Sequence, residues 1–219
     1  SEIILRSNEF CNLSEVVVRA DDTLDTLKRK VRLATIIGTL QSSLTDFRYL
    51  RVRWKRNTEE EALLGVSLTG IMDHAVLGTD SAELPSWLQE MRDVSIATNN
   101  EWAEKLGVHQ SVAITCVKPS GTVSQLVYRP SGIHSRFSKH YVRRVRSDRK
   151  DPLAIYMEQA GFPVEKDVMN DSTVVFSFPV KAPEDSITVS EVGAMEQLAL
   201  WKTYQNNWCE HKPSITVYY

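Results

Sequence analysis

The chain has 219 residues and a formal net charge of -2, with 42% hydrophobic and 25% charged residues. This composition is typical of an ordinary globular domain, and the length is sufficient for one sizeable core. The small net charge gives no bulk attraction to nucleic acid or to an anionic membrane surface. No apolar run reaches the roughly 18 residues that a membrane-spanning helix needs.

The three cysteines are too few and too widely spaced for a secreted disulfide framework or a zinc site. They are Cys11, Cys116 and Cys209. Since the sequence also shows no signal-peptide pattern, we predict a cytoplasmic protein with free thiols and no metal site.

Hydrophobic periodicity predicts strands that alternate with helices, which indicates an α/β fold with parallel strand pairing. Asp21 and Asp22 are predicted to cap the first long helix, and Gly107 to end the one that begins at Pro85. In chain order, we predict extended segments at 2–5 and 15–19, a helix at 24–47, a short helix at 57–65, a strand at 65–73, a helix at 85–107, strands at 111–117 and 141–146, a helix at 151–161, a strand at 174–180, a helix at 189–209 and a strand at 214–219.

The strongest local motif is "KPSGTVS", which directly follows the predicted buried strand 111–117. In open α/β folds, ligands bind beyond the carboxyl ends of the strands. Gly121 would let the backbone approach a ligand closely, and the neighbouring N–H groups and hydroxyls would donate to an anion. The motif therefore predicts a phosphate-binding loop. The alternative is an ordinary serine-rich turn.

Two further groups of residues have both a chemical and a purely structural interpretation. Glu2 and Cys11 lie nine residues apart across a predicted turn, where a carboxylate and a thiol can share proton transfers; alternatively, Cys11 is a small buried hydrophobe. The arginines of segment 134–150 are interpreted as a solvated strand face or local ion pairs rather than a phosphate site. Cys209, Glu210 and His211 are interpreted as core packing, since they lack the further ligands of a zinc site.

Taken together, these motifs resemble the later part of the catalytic domain of the adenosylcobalamin-dependent (class II) ribonucleotide reductases, in the branch that reduces ribonucleoside triphosphates. The resemblance covers nearly the whole chain. The strings that carry it, in order, are "SEIILRSNEFCNLSEVVVR", "LLGVSLTGIMD", "ITCVKPSGTVSQLV", "SGIHSRF", "YVRRVRSDRKDPLAIYMEQAG", "VVFSFPVKAPE" and "YQNNWCEHKPSITVYY".

The resemblance implies a ten-stranded α/β barrel made of two five-stranded parallel halves. Residues 1–219 would be one partial domain, with 1–19 ending a finger loop and 20–219 forming the second half-barrel. The family's finger-loop motif is Asn-x-Cys-x-Glu, of which this chain would carry only Glu2, preceded by Ser1. The asparagine and the radical-bearing cysteine would lie just upstream, by truncation or by excision of a splicing element.

The resemblance also assigns roles. Glu2 and Cys11 would be catalytic, Cys11 being a redox-active cysteine whose disulfide partner lies outside this chain. The substrate phosphates would be held by Pro119, Ser120, Gly121, Thr122, Val123 and Ser124.

The implied reaction uses adenosylcobalamin, bound largely outside this chain, to generate a thiyl radical on the upstream cysteine. A thioredoxin-like reductant and the upstream half of the enzyme are the implied partners. The isolated chain is expected to be inactive and to aggregate, since half a barrel leaves a strand edge unpaired. Two alternatives remain open: the large subunit of a class I reductase, and a non-catalytic nucleotide-binding remnant.

Overall fold

The computed structural model describes residues 2–184 and 186–219; the predicted motif position Ser1 lies outside the described residues. The chain divides into two compact units. Unit 1 consists of residues 1–136 and 187–219, and unit 2 of residues 137–186.

Unit 1 is an α/β unit in which three long helices cover one side of a small group of parallel strands. Two single 3₁₀ turns, Ile71–Asp73 and Val189–Glu191, complete its regular structure. Its helices and strands are β1 (Asn12–Val17), α1 (Leu24–Ser42), α2 (Val52–Glu61), β2 (Leu64–Thr69), α3 (Leu84–Leu106), α4 (Val123–Leu126) and α6 (Ala194–Asn207).

The strands of unit 1 are parallel, as predicted. β1 pairs with β2 in a register that places Leu13 beside Gly65. The predicted strand 111–117 continues the arrangement through a parallel bridge between Val66 and Thr115, with Cys116 N–H donating to the Val66 carbonyl at 3.1 Å. A second parallel bridge joins Val117 to Pro213. The predicted final strand 214–219 is not regular, because its pairing is limited to the residues next to this bridge.

The core of unit 1 lies between these strands and the helices. α1 turns Leu27, Val31 and Ala34 inward, spaced three and four residues apart as one face of a helix requires. Tyr204 of α6 and Trp208, which directly follows this helix, are both fully buried. The Tyr204 hydroxyl donates to the Leu77 carbonyl at 2.9 Å, so this large side chain is buried without an unsatisfied polar group.

The helix bounds correct three predictions. Thr23, rather than Asp21 or Asp22, caps α1, because its hydroxyl accepts from Thr26 N–H while the Thr26 hydroxyl accepts from Thr23 N–H. α1 ends at Ser42 instead of residue 47. α2 begins at Val52 instead of residue 57, so it starts more than one turn earlier than predicted. Gly107 does end α3, in the left-handed conformation predicted for it.

Unit 2 is a three-stranded antiparallel sheet with one helix, so the prediction of parallel pairing is wrong for this part of the chain. The strand order is β3-β5-β4, and only six residues separate β4 from β5, too few for a parallel crossover. Its elements are β3 (His140–Asp148), α5 (Pro152–Gln159), β4 (Val164–Lys166) and β5 (Thr173–Lys181).

None of the helices in the described part of the chain has the length and apolar character needed to cross a bilayer. The regular strands form sheets of two and three strands.

Replacing Tyr204 by Phe should destabilise the protein by about 1–3 kcal/mol, because the buried Leu77 carbonyl loses its donor. The matched control is Tyr49→Phe, since Tyr49 is fully exposed, and this variant should change stability by less than about 0.5 kcal/mol. Urea unfolding of the full-length protein measures the free energy of unfolding of both variants. Equal stability of the two variants would contradict the assigned hydrogen bond.

Candidate functional site

One face of the parallel strands points away from α1 and carries most of the predicted site. Gly38 of α1 packs against Leu64 and Ser14, so these two residues mark the helix-facing side of β1 and β2. Because side chains alternate along a strand, the neighbouring residues face the other way. This second side, hereafter the open face, carries Leu13, Glu15, Gly65 and Ser67, with Cys116 beside Ser67 in register.

Gly65 is what allows Cys11 to lie on the open face. A Cβ at position 65 would come within 2.4 Å of Leu13 Cδ2 and 3.0 Å of Ile3 Cδ1, and at 3.4 Å it would touch Cys11 Sγ. A side chain there would force the ends of Leu13 and Ile3 to shift and would touch the Cys11 thiol. The glycine therefore leaves the space that these side chains and the thiol occupy over β2.

The segment that carries Glu2 and Cys11 is tied to unit 1 by hydrogen bonds along its length. Lys212 N–H donates to the Glu2 carbonyl at 3.0 Å, and Ile4 N–H donates to Nδ1 of His211 at 3.3 Å. Farther along, Phe10 N–H donates to the Thr58 hydroxyl at 3.1 Å. The segment is thus held across the amino ends of the parallel strands.

His211 is a structural residue here. Since Nδ1 accepts from a backbone N–H, Nε2 carries the proton and donates to the Leu64 carbonyl at 2.8 Å. Burial lowers the pKa of His211, which favours this neutral form. Its neighbour Glu210 accepts from Ile114 N–H at 2.8 Å, and Cys209 is buried in the core. The interpretation of residues 209–211 as core packing is confirmed.

Both cysteines of the open face are protonated thiols. Burial raises the pKa of Cys11 to about 12, with Lys118 acting in the opposite direction. Burial also raises the pKa of Cys116, and the charges of Cys11 and Glu2 add to that effect. Glu2 and Cys11 therefore each lie within electrostatic reach of Cys116.

The "KPSGTVS" segment lies at the carboxyl end of the strand 111–117 and forms one wall of a pocket of about 380 Å³. The other wall is the open face, represented by Leu13, Glu15 and Ser67. Such a volume is at the lower end of the range for small-molecule sites. The structure thus places the predicted phosphate loop and the strand that follows Cys11 around one cavity. The residues of the loop that line it are Lys118, Pro119, Ser120, Gly121, Thr122 and Val123.

Two of the three hydroxyls in this loop already have acceptors within the protein. The Ser120 hydroxyl donates to Glu15 Oε2 at 2.8 Å and accepts from Ser124 N–H at 3.3 Å. The Ser124 hydroxyl donates to the Ser120 carbonyl. Through these hydrogen bonds, Ser120 and Ser124 stabilise the conformation of the turn.

The remaining donors of the loop face outward. Gly121 N–H is used by the Pro119 carbonyl at 3.0 Å, whereas the N–H groups of Thr122 and Val123 have no acceptor in the described part of the chain. A Cβ at position 121 would meet nothing within 4 Å, so the space beside the glycine is open. Two backbone donors, one threonine hydroxyl and an open glycine are the features that a phosphate group requires.

Sequence reasoning missed Glu15, Ser67 and Lys118 as pocket residues. Ser67 accepts from Lys118 N–H at 2.9 Å and so connects β2 to the loop. The available signal was the strand period of two, which puts Glu15 on the same side as Leu13. Recognising it also required the register of β1 against β2, which only the structure provides.

Of the arginines of segment 134–150, Arg136, Arg144 and Arg146 make ion pairs. In unit 1, Arg136 is buried, and its Nη2 lies 2.8 Å from Asp73 Oδ2. In unit 2, Arg144 pairs with Glu165 at 2.5 Å and Arg146 with Asp167 at 2.6 Å.

Comparison with known proteins shows which enzymes this chain is similar to. The chain is 30% identical over 217 residues to an adenosylcobalamin-dependent ribonucleoside-triphosphate reductase of Euglena gracilis, which covers 97% of the chain. It is 31% identical to the reductase of the same name from Levilactobacillus brevis, over 99% of its length. Nearly the whole chain is homologous to part of these reductases. It spans 29% of the Euglena relative and 32% of the Levilactobacillus one.

The fold comparison agrees. The crystal structure of a B12-dependent (class II) ribonucleotide reductase superposes with a TM-score of 0.73 and covers 97% of this chain, at 22% identity. The match takes in 33% of that structure's chain. No family model matches the sequence. The α/β fold of this chain is therefore similar to that of a class II reductase.

Alkylation of Cys11 should be slow and strongly pH-dependent. With a pKa of about 12, only about one thiol in 10⁴ is ionised at pH 8, and the thiolate is the reactive form. The iodoacetamide rate should be at least a hundredfold below that of the urea-unfolded chain, and it should rise about tenfold per pH unit. Mass spectrometry of the Cys11 peptide measures it. A slow but pH-independent rate would indicate poor access instead of a raised pKa.

Proposed function

We propose that this chain is the substrate-binding and thiol-bearing segment of an adenosylcobalamin-dependent ribonucleotide reductase, which converts ribonucleoside triphosphates to 2′-deoxyribonucleoside triphosphates. One observation carries the proposal: the chain is similar to these reductases over nearly its full length, and its loop 119–123 and the strand that follows Cys11 line one pocket. The finger loop would end at residue 19, and residues 20–219 would form the second half of a ten-stranded barrel with strands from the rest of the enzyme.

Cys11 would supply a proton and electrons. A buried, protonated thiol can donate its proton to the 2′-hydroxyl of the ribose, which then leaves as water. Cys11 and a partner cysteine from the rest of the enzyme would together supply two electrons and end as a disulfide. A thioredoxin-like dithiol would then reduce that disulfide by exchange.

Glu2 would accept the proton of the 3′-hydroxyl. Its backbone carbonyl accepts a hydrogen bond from Lys212 N–H, and its charge raises the pKa of Cys116 on the open face. A carboxylate at this position is the general base that loss of the 2′-hydroxyl requires.

The loop 119–124 would hold the substrate phosphates. Support comes from the free N–H groups of Thr122 and Val123 and from the open space beside Gly121. Ser120 and Ser124 would contribute by holding the turn in shape, since their hydroxyl protons are directed into the protein.

Adenosylcobalamin would supply the radical that starts the reaction. The pocket of about 380 Å³ is too small for a corrin ring. We therefore assign its binding to parts of the enzyme outside this chain and derive no step through it.

The names of the relatives favour this function over a class I large subunit, since they specify adenosylcobalamin. A non-catalytic remnant would have no need of two open-face thiols beside a carboxylate. Adenosylcobalamin-dependent product formation by the full-length protein distinguishes all three.

Cys11→Ser should abolish multiple turnovers, because the disulfide can no longer form. Glu2→Gln should lower kcat by at least a hundredfold, since the base is lost. The assay is dithiol-dependent deoxyribonucleotide formation by this chain co-expressed with the upstream half. Cys209→Ala is the matched control, as this thiol lies in the core. Normal cycling of Cys11→Ser would refute its redox role.

Gly121→Ala should raise KM at least tenfold and leave stability unchanged, because the added methyl meets no protein atom but occupies the space assigned to a phosphate. Gly193→Ala is the control: its Cβ would meet only Glu196 Oε2 at 3.8 Å, at the start of α6. Steady-state kinetics and thermal unfolding measure both effects. An unchanged KM in Gly121→Ala would place the phosphates elsewhere.

A further inference from the structure

Glu15 ties the strand that follows Cys11 to the loop 119–124. It lies four residues after Cys11 on the open face, and its Oε2 accepts the Ser120 hydroxyl at 2.8 Å. Ser120 in turn accepts from Ser124 N–H. A continuous set of hydrogen bonds therefore runs from β1 to the start of α4.

The second oxygen of this carboxyl group is buried and has no hydrogen-bond partner in the described part of the chain. The nearby Thr69 hydroxyl is engaged, since it donates to the Pro130 carbonyl at 3.1 Å. A buried polar atom without a partner costs about 1–3 kcal/mol, so such atoms are usually satisfied by a ligand or water. Glu15 lines the pocket of about 380 Å³, where a ligand would supply that partner.

The chemistry of the pocket decides which partner it is. The free N–H groups of Thr122 and Val123 select an anion. An ionised carboxylate next to that anion would repel it, whereas a protonated carboxyl group would donate to it. Burial raises the pKa of Glu15, although Ser120, Lys118 and the nearby Thr69 hydroxyl act in the opposite direction. The other charged or titratable groups around it are Lys118 and the protonated thiol of Cys116.

We infer that Glu15 is a substrate-positioning residue that binds in its protonated form, with Oε2 accepting from Ser120 and the Oε1 hydroxyl donating to a phosphate oxygen of the nucleotide. This inference rests on the proposed function and adds a specific consequence. Ribonucleotide binding takes up a proton at Glu15 from solvent, and the affinity falls as the pH rises from the pKa of this acid in the free protein to its higher pKa in the complex.

The test is isothermal titration of the full-length protein with each ribonucleoside triphosphate, without adenosylcobalamin, so that no turnover occurs. Titrations between pH 7 and 9 in buffers of different ionisation enthalpy give both Kd and the number of protons taken up. The variants are Glu15→Gln, Glu15→Ala and, as a control outside the pocket, Glu165→Gln. Subtracting the proton uptake of Glu15→Gln from that of wild type removes the protons taken up by the nucleotide itself.

Glu15→Gln should keep Kd within about threefold of wild type at pH 7, because an amide also donates and accepts, and its Kd should change less with pH. Proton uptake by Glu15→Gln should be lower than that of wild type by up to one proton per nucleotide bound. Glu165→Gln should match wild type, and Glu15→Ala should bind at least tenfold more weakly. Equal proton uptake in wild type and Glu15→Gln would overturn the inference. So would a loss of binding in Glu15→Gln as large as that in Glu15→Ala.

The reductase assay separates this inference from the proposed function. If the wild-type protein shows the expected proton uptake but forms no deoxyribonucleotide with adenosylcobalamin and dithiol, the function is wrong and the role of Glu15 stands. If it forms product without a Glu15-dependent proton uptake, the function stands and the role of Glu15 is wrong.

Discussion

The parallel pairing of β1 with β2 beside Gly65 is the constraint on which the rest of the site depends. The missing side chain at position 65 leaves room for the ends of Leu13 and Ile3 and for the Cys11 thiol over the neighbouring strand. The same pairing puts Glu15 and Ser67 side by side, and these two residues hold the loop after the next strand through Ser120 and Lys118. The Cys11 thiol and the turn at 119–124 are thereby held on the open face.

The electrostatics of this face follow from its burial. Water is largely excluded from Cys11 and Cys116, so both thiols stay protonated, and burial also raises the pKa of Glu15. Apart from Lys118 and Glu2, the face carries little charge once Glu15 has taken up its proton. It suits a reaction in which thiols must deliver protons to a sugar and an anionic tail must be held without nearby negative charge.

Much of the site could be predicted from the sequence because its motifs are local. The turn at 119–124 and the thiol at position 11 lie within short continuous strings of the sequence. Glu15, Ser67 and Lys118 could not be predicted, because their importance comes from the register between strands some 50 residues apart. The same reason explains the error in unit 2: period-two patterns identify β3 and β5 as strands, but only the short β4–β5 connection makes the sheet antiparallel.

The most direct measurement is a structure of the full-length protein with a bound ribonucleoside triphosphate. The account predicts phosphate oxygens within hydrogen-bond distance of the N–H groups of Thr122 and Val123, with the ribose over Gly65 near the Cys11 thiol. A nucleotide bound with its phosphates away from this loop, or with its ribose on the helix-facing side of the strands, would contradict it.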